Sequence, residues 1–134
     1  MTSRLENTTM TRETLALLSA VAGCHQQLTA HARRLRERKD VREVTHHLDM
    51  LVLDGGVRFE EFVDAELVCR DALSWCLETT VTPQQVSVEA DVRRIHDQGQ
   101  DVVCAIADCA YSTESAAAAA VPEIVRHLCS LNPT

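Results

Sequence analysis

TPQQVSVEADVRRIHDQGQDVVCAIADC, running from Thr82 to Cys109, decides how the rest of the chain is read. Val88, Val92, Ile95, Gly99, Val102, Ile106 and Cys109 recur in alternating steps of four and three. That spacing lays one stripe along an α-helix. Thr82-Pro83-Gln84-Gln85 reads as its start. Thr82 would accept from free N–H groups, Pro83 needs no N–H, and Gln85 would complete a capping box. Gly99 falls in the middle of the stripe, at a cost of about 1 kcal/mol relative to Ala.

A stripe this long needs partner helices. The first predicted helix runs from Thr11, as N-cap, to about Glu37 on Leu17, Leu18, Val21, Cys24, His25, Leu28, His31, Ala32 and Leu35. The register fails at Arg38, and Asp40 with Glu43 makes a capping box for a short helix over Val41–Leu53. Asp54-Gly55-Gly56 ends it, because Gly tolerates the left-handed C-cap. A third helix is predicted from Val57 to Thr79, on Phe59, Phe62, Glu66, Cys69, Leu73 and Cys76. The helix opened by Thr82 breaks near Ser112–Ser115, and a last one runs from Glu114 to Ser130 with Pro122 as kink or restart. On this reading strand-type alternation is absent. The expected fold is all-α, an antiparallel four-helix bundle with an additional short or kinked helix. Residues 1–10 read as a disordered segment, and residues 11–131 as a single helical-bundle domain.

Charge is uneven. The formal net charge is -7. The segment 33–43 holds five arginines and Lys39 against three carboxylates, whereas everything after it is strongly acidic. Overall acidity disfavours broad nucleic-acid binding. The basic segment suits a helix C-terminus, or pairing with the acidic part of a second copy. No signal peptide and no run near the roughly 20 apolar residues of a membrane span is read, so a cytoplasmic location is expected. There the six cysteines would be free thiols.

Candidate chemistry is sparse. Cys69 and Cys76, two helical turns apart, would lie roughly 10 Å from each other, too far for a disulfide. They could line a bundle with Glu66, His25 and His96 and hold a transition metal such as copper or iron; otherwise no cofactor is expected. Val68-Cys69-Arg70, Cys76-Leu77-Glu78 and Cys104 to Cys109 resemble the cysteine-bearing helices of copper-storage bundles, without that family's Cys-x3-Cys spacing. Carboxylate-bridged di-iron bundles need Glu-x-x-His on each of two helices, a pair that this sequence lacks. Glu60, Glu61 and Asp64 read as an acidic exposed face at a helix start. Arg42-x4-His47 resembles the motif of helical ribonucleases of the HEPN group, which implies RNA cleavage with Arg steadying phosphate and His moving a proton. Met50, Leu53, Val63, Leu67, Val103 and Tyr111 fall off the main stripes and suggest a second apolar face. The expectation is therefore a non-enzymatic intracellular helical-bundle module. It would work through contact with a protein partner or a second copy of itself, with no membrane or nucleic acid involved. A metal-binding bundle and an RNA-cleaving helical domain are the alternatives.

Overall fold

The computed structural model describes residues 12–69 and 71–133. Its architecture overturns the all-α expectation. A helix, α1 (Arg12–Arg36), is followed by strands β1 (Val41–Leu53), β2 (Gly56–Leu67), β3 (Ala72–Val81), β4 (Val86–His96) and β5 (Gly99–Tyr111), then by α2 (Glu114–Ser130). The strands form one antiparallel sheet in the order β1-β2-β3-β4-β5. Both helices lie on one face: α1 packs on β1 and β2, α2 on β4 and β5, and the two pack on each other. The expected disordered segment and the Thr11 cap lie outside the described residues.

The two terminal helices form where 3.6-residue periodicity places them. Leu17, Val21, Cys24, Leu28, Ala32 and Leu35 of α1 are buried, as are Ala117, Val121, Val125 and Leu128 of α2. Thr113 caps α2, its side chain accepting from the Ala116 amide at 3.2 Å. Pro122 lies inside α2 without ending it.

Between the helices the period is two. Val57, Phe59, Val63, Ala65 and Leu67 point toward the helices, then Leu73, Trp75, Leu77 and Val81, then Val86, Val88, Ala90 and Val92. Successive strand residues face opposite sides, so these residues fill the helix-covered layer while their neighbours face out. The predicted helix over Val41–Leu53 is β1 with the same bounds, the third predicted helix is the hairpin β2–β3, and the Thr82 helix is the hairpin β4-β5.

Turn chemistry explains part of the misreading. Thr82 Oγ1 does accept from the amides of Gln84 (3.3 Å) and Gln85 (3.1 Å). The Thr82 amide, however, donates to the Gln85 carbonyl at 3.0 Å, which closes a turn between β3 and β4. A helix start and a Pro-containing turn use the same local hydrogen bonds. Gly99, placed mid-helix by the stripe, opens β5 at φ 134, a conformation that L side chains rarely adopt.

Gly56 starts β2 against the end of β3. A Cβ there would lie 2.5 Å from the Val81 carbonyl oxygen. Because that atom is backbone, Gly56→Ala must push β2 from β3. We expect a loss of about 2 kcal/mol, in the range for overpacking, read as a lower urea midpoint. An unchanged midpoint would show that the hairpin end yields freely.

Candidate functional site

Two inward strand positions break the apolar alternation. Glu61 on β2 and Thr79 on β3 stand where a hydrophobic residue belongs, and they are 1% and 0% exposed. They meet His25 of α1, also 1% exposed. His25 Nδ1 lies 2.9 Å from Glu61 Oε1, and His25 Nε2 lies 2.9 Å from Thr79 Oγ1. The other Glu61 oxygen accepts from Thr29 Oγ1 at 2.9 Å and lies 2.6 Å from His46 Nε2 on β1. The cluster thus ties α1 to β1, β2 and β3. Glu61 belongs to this cluster and not to the exposed acidic face read from the sequence.

The order Thr79, His25, Glu61 is that of a nucleophile, a base and its orienting acid. All three are sealed beneath α1, and a reacting atom would need to come within about 3 Å of the hydroxyl. In this conformation the arrangement does not do nucleophilic chemistry. It satisfies a buried carboxylate, which is costly unless every oxygen finds a donor.

The sheet's other face is uncovered by the helices and acidic. Asp49, Glu60, Glu78, Glu89 and Asp108 stand directly opposite one another, one per strand. Like charges in that register repel. Arg58 offsets part of this, at 2.7 Å from Glu60 and 3.3 Å from Glu78, and Arg93 lies 3.8 Å from Glu89. Phe62, Asp64, Ser74 and Cys76 line a shallow depression beside the row. Burial raises the Cys76 thiol above its ordinary value, against a smaller lowering by Ser74.

The residues predicted as a metal set are dispersed. Cys76 and Glu66 are on the open face, but Cys76 faces Phe62 in the middle of β2 whereas Glu66, near its end, pairs with Arg42 at 3.1 Å. His25 is under α1 on the other face. Cys69 is exposed in the β2–β3 turn, and His96 ends β4 beside Asp101 at 2.7 Å. Among the described residues no group of three or more His, Cys, Asp or Glu is arranged to hold a metal ion.

The helical-ribonuclease resemblance loses its framework. Arg42 and His47 are on one strand, five residues or about 17 Å apart at strand rise, and His47 stacks on Phe62 with 4.9 Å between ring centres.

β1 is the remaining feature, and it is an edge strand. Its first half is anchored by Val41, Val44 and His46. Its second half is not: Leu48, Met50 and Val52, on the helix side, are 44%, 62% and 80% exposed. Leu51 and Leu53, on the opposite side, are exposed as well. Of the off-stripe residues, Met50, Leu53 and Val103 are exposed, while Val63 and Leu67 are core.

Among the described residues no helix is long and apolar enough to cross a membrane. Comparison with protein-family models, with curated proteins and with solved structures finds no match to this chain.

Proposed function

We propose that this chain is a protein-contact module that receives an added strand on β1. The observation that supports this reading is the second half of β1, where Met50-Leu51-Val52-Leu53 lies exposed on both faces at the unpaired edge of the sheet. An edge strand offers a row of free N–H and C=O groups, and proteins usually blunt such edges with Lys, Pro, bulges or brevity. From Val44 to Leu53 β1 carries no Lys, no Pro and no bulge. Strand addition would pair the backbone and cover the side chains together. The module is an α/β two-layer one; the helical-bundle version is excluded by the sheet.

The test is amide hydrogen exchange of the full chain with a soluble, Lys-flanked Thr-Val peptide. Exchange should slow on β1, and N-methylating the peptide on its pairing edge should abolish the effect. Unaltered β1 exchange at millimolar peptide sinks the reading.

A further inference from the structure

We infer that the strand received by β1 is β1 of a second copy, antiparallel to it about a twofold axis through Leu48. This rests on the strand-addition reading above and names its partner.

The two edges of the sheet differ. β5 carries two register irregularities along β4, which disrupt the regular outward row of its backbone groups. β1 carries one, at Val41/Glu43, and is regular from Val44 onward. A regular antiparallel ladder with a copy of itself is therefore available to β1 and not to β5. Stacking of two copies through their open faces would instead bring two carboxylate rows together.

The register follows from the side chains. In a symmetric antiparallel pair the strand crosses itself at one residue, and cross-strand partners lie on the same face. With the axis at Leu48, His47 stands opposite Asp49 of the second copy, and Asp49 opposite its His47. Within one chain these two already pair at 2.8 Å, so the dimer would join two such pairs into one four-membered polar cluster. The same register sets Val44 against Val52 and Leu48 against Leu48 on the helix side, with Met50 opposite His46 there, and on the outer side Leu51 opposite Thr45 and Leu53 opposite Glu43. Moving the axis to Met50 would keep Leu48 against Val52 but place Asp49 against Leu51 and His47 against Leu53, so neither polar group would gain a partner across the axis. Moving it to His47 would oppose two imidazoles. Of these three registers, only the Leu48 one sets His47 against Asp49 across the axis.

The full chain tests this by sedimentation velocity and by symmetric cross-linking. The wild type should sediment as a dimer, and Val52→Lys, on a side chain that is solvent-exposed in the single chain, should sediment as a folded monomer. Leu48→Cys should form a 48–48 disulfide under glutathione oxidation, since cross-strand Cβ atoms at the axis lie about 5 Å apart. Met50→Cys should give no such product. Mass mapping separates these bonds from those of the native thiols. A wild-type monomer overturns the second-copy inference, as does a dimer that Val52→Lys leaves intact or one that cross-links through residue 50. If the wild type is monomeric while the Thr-Val peptide still slows β1 exchange, strand addition stands and only the partner is wrong. If neither happens, both fail.

Discussion

Glu61→Ala is expected to remove about 3 kcal/mol of stability, by analogy with breaking one side of a buried ionic pair. The carboxylate has three partners, His25, Thr29 and His46, and His25 in turn pairs with Thr79. Deleting it leaves buried His25 and half-buried Thr29 on α1, and His46 on β1, without that acceptor, and the cost includes desolvation of these groups as well as the lost bonds. Glu61→Gln keeps the volume and one acceptor, so it should cost less. The pair Glu61→Leu with His25→Leu should recover part of the loss, because two apolar groups need no partners there. Urea unfolding of the wild type, of Glu61→Ala, Glu61→Gln, Glu61→Leu and His25→Leu, and of the double Leu variant measures this. If the single and double replacements are simply additive, the cluster does not act as a unit.

Acid sensitivity is the second large effect, and His31 is its source. The ring is buried under α1 against Trp75, with centres 5.1 Å apart in an edge-on arrangement. Neither ring nitrogen has a hydrogen-bond partner among the described residues. Burial, then the charges of Arg34 and Arg38, hold its pKa down to about 4, from an ordinary value of 6.5. The folded protein therefore keeps His31 neutral, while the unfolded chain takes up a proton below pH 6.5. Between those values the unfolded state binds more protons, so stability falls as pH falls from 6.5 toward 4. The shift corresponds to at most about 3 kcal/mol. His31→Phe should abolish that part of the dependence. It should cost little at pH 7, where it replaces two unsatisfied nitrogens with an apolar ring. Parallel stability curves for wild type and variant between pH 7 and pH 4.5 would refute the assignment.

The two terminal helices were legible because a helix closes its hydrogen bonds four residues away. The stripe from Leu17 to Leu35 and the run after Thr113 carry their own start, period and end. The middle of the chain misled the same reading. In Val86-Ser87-Val88-Glu89-Ala90-Asp91-Val92 the alternation is present, yet Val88, Val92 and Ile95 also fit a helical step. On β2 and β3, Glu61 and Thr79 interrupt the inward apolar positions, while Phe62 and Cys76 add apolar residues to the outward ones. β1 is apolar on both faces from Met50 to Leu53, which erases its period altogether. The residues that blur the pattern are those of the buried cluster and of the exposed edge.

The candidate site was legible in part. His25, named as a flank of the first stripe and as a metal-ligand candidate, sits at the centre of the buried cluster. Its partners lie 36 and 54 residues away, beyond any local spacing rule. Two polar residues at inward positions of neighbouring strands would have been the signal, had the strands been recognised.

What the amino-acid sequence determined by itself is the pair of terminal helices and the uneven charge, since both are local properties of composition and period. The tertiary structure alone decided the sheet, the five opposed carboxylates, the sealing of Glu61 and the bare edge of β1. Strand hydrogen bonds join residues that are distant in the chain. Their register, and hence which side chains meet, exists only once the strands have paired and the helices have covered one face.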